Sequence, residues 1–257
     1  MKLSQPYFGE LLGTFILVFI GCSTVALSVL SIAFPTLLQV ALVWGFGVTL
    51  AIYISRKFCP AHLNPAVSLA LFFDKKINFK TLIGFIIVQL IGAMIAGLGV
   101  YLIFNNIIID FETVHQITRG SANSRVSAKM FGEFFPNPGS PITEVSHLVA
   151  MFAEGAGTFL LMLVIFIEGN SRRKTGPIAP LIIGATVTVI ILLFAPYTQG
   201  GFNPARDFGP RLIAYFSGWN DAAFPATKYG FFTVYILAPF LGSSLAYLGH
   251  RILKRKS

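Results

Sequence analysis

The chain reads as an all-α membrane protein with six spanning helices and two re-entrant half-helices in an inverted repeat. Three observations carry this. Of 257 residues, 55% are hydrophobic and only 11% charged, with mean hydropathy +0.75, whereas a soluble domain carries about 25% charged residues. The triplet Asn-Pro-Ala occurs twice, at Asn64-Pro65-Ala66 and Asn203-Pro204-Ala205. A longer motif also repeats: Glu10-Leu-Leu-Gly13-Thr14-Phe15 matches Glu154-Gly-Ala-Gly157-Thr158-Phe159.

Six apolar stretches reach the roughly 20 residues that a bilayer crossing needs. They are Phe8–Leu30, Leu37–Ser55, Thr81–Phe104, Leu148–Glu168, Pro177–Phe194 and Tyr229–His250. The first exceeds a signal-peptide core and lacks a small-residue cleavage site after it, so it reads as a retained span. Asn64–Phe73 and Asn203–Phe216 are too short to cross. Each begins with Asn, a preferred N-cap, and then Pro, pre-shaped for the first helical position. A helix that starts inside a bilayer leaves N–H groups unpaired, which is tolerable only along a polar path. Two such starts in matching places point to a site near the midplane.

Three spans per half require the second copy to be inserted upside down, so the half-helices enter from opposite faces. The expected organisation is one channel domain of two inverted repeats, approximately 7–104 and 147–250. A long extracellular loop, 105–146, with Pro136, Pro138 and Pro141, joins them. The weaker match of Gln89-Leu-Ile-Gly92 to Pro239-Phe-Leu-Gly242 extends the repeat to the third span of each half. Small pairs such as Gly9/Gly13, Gly92/Ala96, Ala93/Gly97 and Gly155/Gly157 suit close helix packing.

The net charge of +9 sits between hydrophobic spans, where it sets orientation and meets anionic lipid rather than nucleic acid. Lys2, Arg56, Lys57, Lys75, Lys76, Lys80, Arg172, Arg173, Lys174, Arg251, Lys254, Arg255 and Lys256 are thirteen of the 19 basic residues. All fall on one side of a six-span topology, which places both termini in the cytoplasm of a cell whose plasma or inner membrane holds the protein. Cys22 and Cys59 have no metal-ligand spacing. Cys22 reads as a small apolar residue, and Cys59 as either a packing residue or a thiol beside the path. No cofactor motif is present, and neither HExxH, Walker A nor G-x-S-x-G occurs, so nothing points to an enzyme.

The duplicated Asn-Pro-Ala, the Glu-x-x-Gly-Thr-Phe repeats and the six spans resemble the aquaporin, or major intrinsic protein, family. Asn203-Pro-Ala-Arg206-Asp207-Phe-Gly-Pro210 resembles its aquaglyceroporin branch, the bacterial glycerol facilitators in particular. So do Asp110-Phe111-Glu112, His115 and Arg119-Gly120-Ser121. The resemblance implies a homotetramer with one pore per subunit. It also implies passive passage of glycerol, similar small neutral solutes and some water, with ions and protons excluded.

Each Asn carbonyl can cap its own half-helix while the amide NH₂ faces the path. The positive helix ends behind them disfavour cations and polarise a water file in opposite directions. Pro65, Ala66, Pro204 and Ala205 shape the helix starts. The repeats differ at the next position, Val67 against Arg206. A guanidinium inside a span needs a wet path or partners. The resemblance makes Arg206 a filter group that donates to solute oxygens; the alternatives are snorkelling or pinning a loop. The resemblance likewise makes Trp44 the filter's apolar wall, against an ordinary buried or interfacial Trp.

Gly200 and Ile191 complete the filter positions and depart from glycerol facilitators, which carry an aromatic and a Gly there. Tyr235 departs too, where the branch often has Pro. Pro60, Ala61, His62, Gln199, Gly200 and Gly201 form the irregular segments expected to expose backbone carbonyls to the path. His62 is either a pH-sensitive group or a brace. Asp207 and Arg211 are spaced for an i,i+4 ion pair. Glu10 and Glu154, at equivalent repeat positions, are either proton relays or braces that accept N–H bonds from the re-entrant loops. An ion-coupled secondary carrier, which also uses broken helices, is the alternative class. Within channels the alternatives are water, urea, dihydroxyacetone, lactic acid or a metalloid acid.

Overall fold

The computed structural model describes residues 4–170, 176–227 and 229–254. Of the basic residues that set orientation, Lys2, Arg172, Arg173, Lys174, Arg255 and Lys256 lie outside these. The chain forms α1 (Gln5–Val29), α2 (Leu37–Ser55), α3 (Pro65–Phe73), α4 (Phe79–Val114), a one-turn α5 (Arg125–Ala128), α6 (His147–Asn170), α7 (Ala179–Thr198), α8 (Pro204–Ala214) and α9 (Ala238–Lys254). A π-helical entry, Phe231–Leu237, leads into α9, and together they make the sixth span. Among the described residues, six helices are long and apolar enough to cross a membrane. Their outward faces carry Phe46, Leu102 and Phe152 at 61%, 69% and 72% exposure, a surface that only lipid or another apolar partner covers without cost.

The two halves pack alike. α1 lies on α2 and α4 as α6 lies on α7 and α9, and each half-helix crosses to the other half, α3 onto α9 and α8 onto α4. The relation is sharpest where α2 meets α7. A Cβ built on Gly45 would sit 2.6 Å from the Gly184 carbonyl oxygen, and one on Gly184 would overlap the Gly45 carbonyl. Thr49 Oγ1 donates to Pro180 O at 3.2 Å, and Thr188 Oγ1 donates to Ala41 O at 3.1 Å. Reciprocal contacts of this kind are what a two-fold relation between inverted repeats produces. Gly92 and Gly242 extend it: their missing side chains admit the Leu11 and Gly155 carbonyls. We expect Gly242→Ala to force α9 off α6 and cost about 2 kcal/mol, within the usual range for overpacking. A drop of several degrees in the melting temperature of detergent-solubilised protein checks this.

Three boundaries differ from expectation. α4 does not stop at Phe104 but runs 36 residues, about 54 Å at 1.5 Å per residue, far more than a bilayer's apolar thickness of about 30 Å. The loop expected from residue 105 therefore starts as helix. Asn105 and Asn106 look like a break, but Phe104, Ile108 and Glu112 are buried along one continuing face. α7 continues through Pro196 to Thr198. Its last carbonyls find partners in the connecting segment: Asn137 Nδ2 donates to Ala195 O and Ser140 Oγ to Pro196 O, both at 2.9 Å. α8 stops at Ala214, two residues short of the expected Phe216, and the chain turns through non-helical Ser217 and Gly218.

Candidate functional site: a passage between two half-helices

Asn64 and Asn203 hold extended backbone conformations and cap α3 and α8. Asn64 Oδ1 accepts from Ala66 N at 2.8 Å, and Asn203 Oδ1 accepts from Ala205 N and Arg206 N at 3.1 and 3.2 Å. The amides also clasp each other's strands. Asn64 Nδ2 donates to Phe202 O at 2.9 Å, and Asn203 Nδ2 donates to Leu63 O at 2.8 Å. Each NH₂ carries two hydrogens, so one remains for the path. Both asparagines line a common cavity of about 160 Å³. Pro65, Ala66, Pro204 and Ala205 are buried in the helix starts and do not line it.

The cavity wall is mostly apolar, with a few convergent polar groups. Trp44, Ile191, Gly200 and Arg206 line it together, as do Pro60, Ala61, His62 and Gly201. Gln199 does not. Its side chain turns to the connecting segment, accepting from Phe134 N at 2.9 Å and donating to Lys129 O at 3.3 Å. A left-handed backbone at Gln199, φ 63°, ends α7 there. The His62 ring is held by Ser68 Oγ at 3.1 Å and lies edge-on to Phe85. Cys59 is packed against Gly9, and burial pushes its thiol up to about 12, so it stays protonated at neutral pH.

Behind the cavity the two glutamates occupy equivalent places. Glu10 accepts N–H bonds from His62 and Leu63, both at 2.7 Å, and Gln89 Nε2 adds a third at 2.8 Å. Glu154 accepts from Gly201 N at 2.9 Å, Phe202 N at 2.7 Å and Thr198 Oγ1 at 2.7 Å. Both are fully buried. Tyr235 OH donates to Thr198 O at 3.0 Å, bracing the second re-entrant segment from the sixth span.

The Arg206 guanidinium lies 4.3 Å from the centre of the Trp44 ring and forms a buried ion pair with Glu133. One of its nitrogens, Nη1, is buried without a protein partner, and Arg206 is among the residues that line the cavity. Glu133 comes from the connecting segment and escaped sequence reasoning. Burial pushes its carboxyl up to about 7, while the Arg206 guanidinium pulls the other way. Asp207 and Arg211 do form the expected i,i+4 pair, at 2.8 Å, and they do more. Asp207 Oδ1 accepts from Glu133 N at 2.7 Å, and Arg211 donates to the Glu133 and Ala223 carbonyls. The pair therefore fastens the connecting segment over α8, with Arg211 caged by Phe134, Phe224, Phe231 and Tyr235. A second clamp holds the far end of α4: Arg119 Nε donates to Glu112 at 2.9 Å and stacks on Trp219.

Residues 1–250 match the family described as major intrinsic protein. The chain belongs to that family. It is 38% identical to a glycerol uptake facilitator protein of Pseudomonas aeruginosa over 95% of this chain and 86% of that one. It is 36% identical to the Escherichia coli K12 glycerol uptake facilitator protein, with the same coverage. A propanediol uptake facilitator of Citrobacter freundii is 33% identical over 100% of this chain and 94% of its own. Among solved structures, the X-ray structure of the aquaglyceroporin from Plasmodium falciparum superposes with a TM-score of 0.80 at 25% identity, covering 97% of this chain and 96% of that one. This major intrinsic protein is thus a multi-pass membrane channel of the aquaglyceroporin branch, related to the bacterial glycerol facilitators, and not an enzyme.

Proposed function

We propose that this channel passively admits glycerol and other small uncharged solutes, passes some water, and excludes ions and protons. The observation that carries the reading is one cavity shared by three features. They are the clasped Asn64–Asn203 pair at two half-helix N-termini, the side chain of Arg206, and the indole of Trp44. A polyol segregates CH and OH groups, so an apolar wall facing hydrogen-bond donors suits it. Helix N-termini and a guanidinium facing the path disfavour cations. The names of the bacterial relatives support glycerol.

A second reading, a diol with one hydroxyl fewer, is favoured by Ile191, whose side chain adds apolar surface to the wall. Stopped-flow light scattering on proteoliposomes challenged with water, glycerol, 1,2-propanediol and urea tests both. Glycerol entry that is fast, independent of ion gradients and lost on disrupting Arg206 is expected. Water entry without glycerol entry overturns the proposal.

Both termini are proposed to be cytoplasmic. Arg56 donates to Gly176 O at 2.9 Å, so the basic end of α2 and the α6–α7 connection share one face, as positive-inside orientation requires. Assembly as a homotetramer in the cell membrane is proposed from the branch, and cross-linking in native membranes tests it.

A further inference from the structure

We propose that Phe202 supplies the second aromatic wall of the passage in place of residue 200, and that it sets the size limit beside the paired asparagines. This rests on the solute-channel reading above. The two repeats provide the comparison. Leu63 and Phe202 precede the two capping asparagines. Both have left-handed backbones, φ 51° and 52°. Both are held by a buried glutamate at 2.7 Å, and both line the cavity. Each also lies where a side chain on a repeat-equivalent glycine would go, Leu63 against Gly13 and Phe202 against Gly157. The difference is size, a phenyl ring against an isobutyl group.

That difference accounts for position 200. Its repeat partner, Ala61, carries a Cβ at φ 57° beside the smaller Leu63. At Gly200, φ 85°, a Cβ would sit 2.9 Å from Cε2 and 3.2 Å from Cζ of Phe202. Such separations force a neighbour to move, and this ring has little freedom. Gly157 meets its other edge and Phe194 packs perpendicular to it at 6.2 Å. The space beside a residue 200 that has no side chain is thus partly filled from two residues along. The aromatic constriction shifts inward, toward Asn64, whose amide bonds the Phe202 carbonyl. Trp44, Ile191 and Phe202 then supply apolar walls around one route, with Arg206 as the polar one.

The test measures the ratio of glycerol to erythritol permeability in proteoliposomes for wild type, F202L and the double variant G200F/F202L. F202L copies the Leu63 side and is expected to lower the ratio about tenfold, the usual scale for a pocket that gains or loses a few carbons. G200F/F202L returns an aromatic to the outer position and is expected to recover much of the discrimination. If F202L does not reach the membrane, F202M, which like Leu is smaller than Phe and lacks the ring, carries the same expectation. A folded F202L or F202M with the wild-type ratio overturns the assignment of Phe202. Wild-type protein that passes no polyol at all overturns the channel reading instead, so the two failures are distinguishable.

Discussion

Replacing Glu154 by Leu should leave little folded protein. The change strips the acceptor from Gly201 N, Phe202 N and Thr198 Oγ1, all bonded at 2.9 Å or less in the buried interior. Thr198 has a fallback in Phe194 O at 3.5 Å, but the two backbone donors have none. At about 1–3 kcal/mol for each buried donor left unsatisfied, the loss is about 2–6 kcal/mol, a large share of a typical margin of about 5–15 kcal/mol. Glu154→Gln should be milder, because one amide oxygen still accepts while the NH₂ faces donors. Glu10→Leu should behave alike, since His62 N, Leu63 N and Gln89 Nε2 converge there. Melting of purified variants in detergent should rank wild type above Gln and Gln above Leu at both sites. The same variants decide against a proton relay. A relay carboxylate changed to Gln leaves stability intact and abolishes any response to a proton gradient; a brace does the reverse.

The repeat is the reason these braces were legible. Glu10 and Glu154 recur with Gly and Thr in a fixed pattern, and a residue duplicated across an inverted repeat reads as scaffold. The half-helix starts were legible because Asn and Pro carry local rules for caps. What escaped depends on long-range partners. Glu133 sits in a stretch without periodicity, and its partners, Arg206 and Asp207, are more than 70 residues away. The Gly45–Gly184 crossing has the same origin, since each glycine looks unremarkable until the other half is laid against it. The side-chain partners of Gln199, Phe134 N and Lys129 O, are hidden for the same reason, since both lie in the connecting segment. At Gly200 the opposite happened. The missing side chain was visible, but the ring that occupies its place belongs to Phe202 and depends on Gly157 in another helix.

Arg206→Val, which copies Val67 of the first repeat, is the second large expected effect, and its partner separates two consequences. Removing the guanidinium leaves the Glu133 carboxyl buried without its ion-pair partner, and loss of one member of a buried pair costs about 3–5 kcal/mol where the remaining group stays ionised. It also removes the cation that lines the cavity and stacks on Trp44. Adding Glu133→Gln should restore most of the stability, because no charge is then stranded. On the function proposed above it should not restore exclusion of cations, because the cavity wall still lacks the Arg206 charge. Melting temperature and cation conductance in planar bilayers therefore part company in the double variant. The Glu133→Gln single variant supplies the pH control. The carboxyl is held up at about 7 against an ordinary 4.5, with burial as the main cause. Arg206, Asp207, Arg211 and Lys129 are the charged groups facing it. An acid whose pKa is raised on folding favours the folded state most below 4.5, and that contribution fades as pH rises through about 7. Stability should thus fall between these values in wild type and stay flat in Glu133→Gln. Solute permeability should show a step near pH 7 in the first and none in the second. A step that survives the substitution would assign the titration to another group and remove Glu133 from the filter.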